Sequence, residues 1–140
     1  MDGYTISDDR ERLDRDAVHR YLHDESYWAR GRPRDVMDRA IDHSLVIGAY
    51  TADGTQAGFA RVVTDHATHA WLCDVFVLPE HRGQGLARRM VRAAIEHRSV
   101  AGVKRILLAT LDAHGVYAAL GFTPLVAADR WMERPGTPRG

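Results

Sequence analysis

Two closely spaced glycines among arginines are the part of this sequence best suited to binding chemistry. They lie in Arg82-Gly83-Gln84-Gly85-Leu86-Ala87-Arg88, between an apolar stretch and apolar residues at helical spacing. A loop that opens a helix leaves backbone N–H groups unpaired at the positive end of the helix dipole. Because glycine has no Cβ, an anion can approach such a backbone closely. The pattern therefore predicts a phosphate or pyrophosphate site over residues 82–88.

Two common phosphate-binding motifs do not fit this loop. The sequence has no Gly-x-x-x-x-Gly-Lys-Ser/Thr string, and Arg88 stands where the dinucleotide fingerprint has its third glycine. The loop instead reads Arg-x-x-Gly-x-Ala from Arg82 to Ala87, and Val77 and Pro79 precede it. In this it resembles the acetyl-CoA pyrophosphate loop of the GNAT superfamily of N-acetyltransferases.

A second stretch strengthens the resemblance. Ala113, Tyr117, Gly121 and Phe122 fit the pattern A-x-x-x-Y-x-x-x-G-F, which is common on a late helix of the same superfamily. The two motifs come in the family's order, and the resemblance spans roughly residues 45–122.

The resemblance implies an α/β (α+β) fold. We expect a mixed, mostly antiparallel sheet of about six to seven strands with a central splayed parallel pair, flanked by about four helices. We expect one domain over residues 1–134 and a disordered tail over 135–140. The apolar patterns predict strands at 4–7, 44–51, 56–64, 70–77, 103–110 and from Phe122 to near Met132, and helices at 15–23, from Pro33, at 84–97 and at 113–120, the last capped by Asp112.

The resemblance also implies a cofactor site for acetyl-CoA. Its pyrophosphate would lie on the loop amides, and its pantetheine arm would pair with the backbone edge of the central strand. Thr110 stands where many members have an asparagine that contacts this arm. The implied cofactor-binding residues are Val75, Phe76, Val77, Arg82, Gly83, Gln84, Gly85, Leu86, Ala87, Arg88 and Thr110.

The catalytic roles follow from the same resemblance. Tyr117 matches the family's proton donor to the leaving thiolate, and strand N–H groups would polarise the thioester carbonyl. Residues 103–110 contain no glutamate, where some members keep a general base. The base is therefore left open among Asp74, Asp112, His114 and water, and Asp74 could instead accept hydrogen bonds from an arginine such as Arg61.

Tyr27, Trp28 and Arg32 are candidate acceptor-binding residues in the loop between the first two helices. Functional side chains often lie on loops, and Arg32 could bind a carboxylate. The alternative is a loop held by burial of Trp28 in the core. The two interpretations do not exclude each other.

The composition of the chain argues against nucleic-acid binding, metal binding and a membrane span. Equal numbers of acidic and basic residues give a formal net charge of +0, which argues against nucleic-acid binding. Cys73 is the single cysteine and is expected in the core, and His66 and His69 are expected at a solvent-exposed turn, so no metal site is predicted. No stretch is apolar enough to cross a membrane, which predicts a cytoplasmic protein. The sequence does not decide the oligomeric state, and a homodimer is one possibility.

The expected activity is transfer of an acetyl group from acetyl-CoA to a primary amine of a small molecule or peptide terminus. One alternative is a catalytically weak GNAT-fold module that binds acyl-CoA or regulates a partner. A further alternative is an unrelated nucleotide-binding α/β protein.

Overall fold

The computed structural model describes residues 3–137. The chain forms two compact units, Met1–Thr110 and Leu111–Gly140. The single domain expected over 1–134 stays a prediction. Of the tail expected to be disordered, residues 135–137 have no regular secondary structure, and residues 138–140 lie outside the described part.

The first unit contains a five-stranded sheet in the order β1-β2-β3-β4-β5. The strands β1 to β4 pair antiparallel in sequence order, and β5 pairs parallel to β4. The mixed sheet with a parallel pair confirms the expected fold class. The strands are Thr5–Ser7, Leu45–Tyr50, Gln56–Thr64, His69–Val77 and Arg105–Leu107.

The prediction of about six to seven strands is wrong for the described residues. Residues 122–137 form no strand, and a short 3-10 helix, Ala128–Arg130, lies where the last strand was expected. Pro124 cannot donate to a ladder, and Ala127 adopts a left-handed conformation with φ of 56°, which interrupts an extended backbone.

Among residues 3–137, three α-helices belong to the first unit and one to the second. The bounds are α1 Arg15–Asp24, α2 Arg34–Asp42, α3 Leu86–Glu96 and α4 His114–Ala118. The apolar faces of α1 and α2 pack with the sheet in one core, whose members include Val18, Tyr21, Leu22, Met37, Ile41, Val46, Phe59 and Phe76. This core fixes α1, α2 and their connecting loop over one face of the sheet.

Strand β4 contains an irregularity that separates its two halves. Phe76 pairs with Phe59 but Cys73 pairs with Arg61, so β4 has one residue more than β3 between these pairs. Asp74 lies in this bulge with φ of 52°, a left-handed conformation that non-glycine residues seldom adopt. The bulge therefore re-aims the Asp74 side chain.

The parallel pair separates along the chain, as expected. Pairing between β4 and β5 ends at Trp71 and Leu107, so residues 72–77 extend beyond the last β5 partner. Strand β5 is shorter than the predicted 103–110 because only residues 105–107 pair with β4.

In the second unit, α4 is shorter than predicted and is not capped by Asp112. Its N-cap is Ala113, with no side-chain hydrogen bond to the first turn. Gly121 ends the helical segment with φ of 95°, and the N–H of Phe122 donates to the carbonyl of Tyr117 at 3.1 Å. The α-helix itself ends earlier than predicted, at Ala118, and Gly121 reverses the chain in the turn that follows it.

Candidate functional site

The glycine loop leads directly into α3 through two left-handed residues. Gly83 has φ of 80°, and Gly85 has φ of 73° and is the N-cap of the helix. Among residues 3–137, no backbone carbonyl accepts a hydrogen bond from the N–H groups of residues 83–88. A Cβ at either glycine would meet nothing within 4 Å, so the backbone is open on this side. These donors at a helix N-terminus form a cradle that suits a diphosphate.

Arg82 anchors this loop to β4 and to α1. Its Nε donates to the Val77 carbonyl at 3.0 Å, and its NH2 donates to the Tyr21 hydroxyl at 3.1 Å. Both acceptors are neutral, so these two hydrogen bonds leave the positive charge of Arg82 uncompensated beside the loop. Sequence reasoning missed the role of Tyr21. The only signal at this residue was its place on the apolar stripe of the first helix, which indicates burial rather than a contact with the loop.

The backbone of β4 beyond the bulge is the expected edge for the pantetheine arm. Val75 and Val77 are half-buried, while the Phe76 side chain points into the core. The Phe76 ring stacks on Tyr21 with a centroid distance of 4.1 Å. This stack and the Arg82 bonds fix the end of β4 against α1.

Asp74 lies at the centre of a buried polar cluster. Its Oδ1 accepts from the Trp28 indole N–H at 2.8 Å, and its Oδ2 accepts from Arg32 NH1 at 2.7 Å and Arg61 Nε at 2.9 Å. Arg61 NH1 also donates to Ser44 Oγ at 3.1 Å. The alternative in which Asp74 accepts from Arg61 is the arrangement observed. The structure thus brings together Asp74, Trp28 and Arg32, which were predicted from separate stretches.

Burial and the neighbouring charges of this cluster shift the pKa values of Asp74 and of the adjacent Cys73. Burial raises the pKa of Asp74, but the Arg61 charge and the Arg32 hydrogen bond more than offset this and hold the pKa below the ordinary carboxyl value. Asp74 is therefore an anion at neutral pH. Burial raises the pKa of the neighbouring Cys73 thiol to about 11, so that thiol stays neutral.

The loop between α1 and α2 is held by the buried hydroxyl of Ser26 rather than by burial of Trp28 in the core. Ser26 is buried, donates to the Leu22 carbonyl at 2.7 Å and accepts from the Ala29 N–H at 3.0 Å. Ala29 lies in the core, whereas Trp28 is 38% exposed. The alternative in which burial of Trp28 in the core holds the loop is not the arrangement observed, because the ring stays partly exposed while its indole N–H donates to the buried Asp74. Tyr27 is 51% exposed and contacts the Trp28 ring edge-on.

The remaining predicted residues lie at the end of the first unit or in the second. Thr110 is the last residue of the first unit and is half-buried. Tyr117 lies on α4, where its ring contacts Phe122 edge-on at a centroid distance of 5.9 Å. Asp112 and His114 are exposed beside the start of α4.

His66 is exposed in the turn before β4, and His69 is exposed as the first residue of β4. Within residues 3–137, no three His, Cys, Asp or Glu side chains are arranged to hold a metal ion. No helix in the described part of the chain is long and apolar enough to span a membrane.

Comparison with known families finds one family model that matches most of the chain. The model of the acetyltransferase (GNAT) family matches residues 5–122. The chain belongs to this family. Its glycine loop and its tyrosine helix, from which the family was inferred, both lie inside the matched range.

Individual relatives agree with the family assignment. A Gibberella zeae protein assigned as an acetyltransferase is 32% identical over 130 residues, which cover 78% of this chain and 72% of that protein. The thialysine N-epsilon-acetyltransferase of Bos taurus is 35% identical over 102 residues, covering 64% of this chain and 60% of the bovine enzyme. A crystal structure of a Xanthomonas campestris protein assigned to the GNAT family has a TM-score of 0.91 at 46% identity, covering 95% of this chain and 93% of that one.

Proposed function

We propose that this GNAT-family member transfers an acetyl group from acetyl-CoA to a primary amine of a small molecule or a peptide terminus. The proposal rests on the loop over residues 83–88, whose N–H groups meet no backbone carbonyl acceptor within residues 3–137. The bovine relative is named for acetylating the N-epsilon position of thialysine, which supports a small amine as the acceptor.

Acetyl-CoA fits the donor set of the loop, because backbone N–H groups at a helix N-terminus bind phosphates without a metal. Residues 83–88 would hold the diphosphate, and Arg82 would add positive charge. The backbone of Val75, Phe76 and Val77 would pair with the pantetheine arm, and Thr110 would contact it. When bound, acetyl-CoA supplies the activated thioester.

The chemistry requires one bond to form and one to break. The amine nitrogen bonds to the acetyl carbon, and the carbon–sulfur bond breaks. The acceptor nitrogen gives up two protons on the way from ammonium to amide, one before it attacks and one after the new bond forms. One of these two protons is balanced by the proton that the thiolate gains, and the other passes to water. Backbone N–H groups of β4 would stabilise the charge that develops on the carbonyl oxygen. Tyr117 is proposed as the proton donor to sulfur, on the basis of its motif and the donor character of a phenol.

Asp74 is better suited to positioning than to proton abstraction. It accepts three hydrogen bonds, two of them from guanidinium groups that lower its pKa, so its affinity for a further proton is low. We therefore propose that the proton leaves through His114, Asp112 or water. Of the two side chains, His114 is favoured because an imidazole is the most common general base in enzymes.

The loop assignment is tested by the substitution Gly85→Glu. We expect the affinity for CoA, measured by calorimetry, to fall by about two orders of magnitude because a carboxylate would stand against the diphosphate. Any side chain at φ of 73° is strained, so Gly85→Asn is the matched control, since asparagine tolerates this conformation without adding charge. Unchanged CoA affinity in a folded Gly85→Glu protein would refute the assignment.

One observation favours a second candidate, a catalytically weak module that binds acyl-CoA. The ion pairs of Asp74 leave no strongly basic carboxylate in the bulge of β4. Release of CoA thiol from acetyl-CoA, assayed against a library of amines, separates the candidates. An enzyme gives amine-dependent release, whereas a binding module binds CoA tightly and gives none.

A further inference from the structure

The Asp74 cluster carries unbalanced charge. The guanidinium groups of Arg32 and Arg61 both form ion pairs with the Asp74 carboxylate, so two positive charges meet one negative charge. The cluster is also largely removed from water, with side-chain exposures of 2% for Asp74, 10% for Arg61 and 20% for Arg32. An excess positive charge in such surroundings favours binding of an anion.

The two arginines differ in their remaining hydrogen-bonding capacity. Arg61 is the more buried and donates to both Asp74 and Ser44. Arg32 donates to Asp74 through NH1, and its Nε and NH2 have no hydrogen-bond acceptor among residues 3–137. Arg32 is therefore the member whose donors can reach a ligand.

The loop holds Arg32 in place before any ligand binds. The N–H of Arg32 donates to the Ala29 carbonyl at 3.0 Å, and the Arg32 carbonyl lies 2.9 Å from His19 Nε2. Trp28 shares the Asp74 carboxylate with Arg32, and Tyr27 packs edge-on against Trp28. A fixed guanidinium beside two partly exposed aromatic rings forms an ordered subsite.

We propose that Arg32 binds a carboxylate of the acceptor, so that the acceptors are amines that also carry a carboxylate. This inference rests on the proposed acetyl transfer. The planar fork of arginine matches the two oxygens of a carboxylate. One excess positive charge balances a monoanion, whereas a phosphate dianion would leave negative charge uncompensated.

Steady-state kinetics at saturating acetyl-CoA test the inference. The acceptors are a series of amino carboxylates in which the distance between the amine and the carboxylate increases. Each one is compared with the matching primary amide, which lacks the negative charge. We expect the best carboxylate to exceed its amide by about tenfold or more in kcat/KM, the size of one charge-assisted hydrogen bond. Arg32→Gln should remove this preference, and Arg32→Lys should retain part of it because the charge remains.

The matched control is Arg30→Gln, which removes an exposed arginine of the same loop and should leave the preference intact. A preference that survives Arg32→Gln, or amides that equal the carboxylates in the unmodified protein, would overturn the inference. If aminoalkyl phosphonates gave a higher kcat/KM than the carboxylates, the assignment of the ligand as a monoanion would be overturned.

A binding measurement keeps the subsite separate from the reaction. The indole N–H of Trp28 donates to Asp74, so its NMR resonance, assigned with Trp28→Phe, reports on the cluster. We expect 5-aminopentanoate to shift this resonance and 5-aminopentanamide to leave it unchanged. If 5-aminopentanoate shifts this resonance but the protein acetylates no amine in the assay, the subsite is supported and the proposed acetyl transfer is refuted. No shift with any amino carboxylate of the series would refute the subsite.

Discussion

Asp74 links two parts of the chain that are far apart in sequence. Its left-handed backbone places one carboxylate against Arg61 of β3 and against Trp28 and Arg32 of the α1–α2 loop. A strained residue persists only where its surroundings hold it. The hydrogen bonds to Asp74 therefore stabilise the bulge and the loop together.

The substitution Asp74→Asn tests this linkage through stability. It leaves two guanidinium groups without their counter-charge, and we expect the free energy of unfolding to fall by about 3 kcal/mol at neutral pH. Because the folded-state pKa of Asp74 is lowered, its contribution is fully present above the unfolded value of about 3.9 and is lost as the pH falls through the folded value. The difference between the two proteins should therefore narrow in acid.

Urea unfolding at neutral and acidic pH measures this difference. The control is Asp35→Asn, which changes an exposed carboxylate and should alter stability by about 0.5 kcal/mol or less. A gap between unmodified protein and Asp74→Asn that stays constant into strong acid would show that the ion pairs are not its source.

Tyr117→Phe tests the proposed proton donor. We expect kcat to fall by about 100-fold or more, with the affinity for acetyl-CoA nearly unchanged, because the phenol acts on the leaving sulfur. Steady-state assays of thiol release across pH measure both quantities. Unaffected turnover at every pH would exclude the role.

Tyr50→Phe provides the matched control for loss of a phenol. Tyr50 is fully buried, and within the described residues its hydroxyl has no hydrogen-bond partner. Removing a buried, unpaired hydroxyl should leave stability nearly unchanged or slightly increased. The activity of Tyr50→Phe should therefore equal that of the unmodified protein.

At the scale of the elements, local patterns predicted most of the sheet and the helix–loop order. The hairpin at Asp53-Gly54 and the glycine loop before α3 depend on backbone preferences of neighbouring residues, and both form as expected. Gly85 adopts the left-handed N-cap, so α3 begins two residues after the predicted position, at Leu86. Such boundaries depend on the conformation of a single residue.

Contacts between distant elements were much harder to predict. The bond from Arg82 to Tyr21 spans 61 positions, and that from Trp28 to Asp74 spans 46, so neither leaves a local pattern. The strand expected after Phe122 was inferred from apolar content, but a strand also requires a partner and a backbone free of Pro124 and the left-handed Ala127. The candidate residues were found by type, and the contact between Arg61 and Asp74 was anticipated, but the approach of Trp28 and Arg32 to Asp74 emerged only from the fold.

At the scale of the whole molecule, the formal net charge of +0 gives no general attraction for a polyanionic coenzyme. Selective binding must then come from local features, which are the loop donors for the diphosphate and the β4 backbone for the pantetheine arm. ATP and NAD carry phosphates but no pantetheine arm. We therefore expect CoA to stabilise the folded protein more than either nucleotide.

Thermal unfolding with each ligand measures this selectivity. CoA at about 100 times its Kd should add about 2.7 kcal/mol. For a chain of this size that corresponds to a rise in Tm of about 5–10 °C. Gly85→Glu, compared with Gly85→Asn to separate charge from backbone strain, should abolish the rise. Greater protection by ATP or NAD than by CoA would contradict the coenzyme assignment, because binding would then depend on the nucleotide alone and the separated edge of β4 would have no part in it.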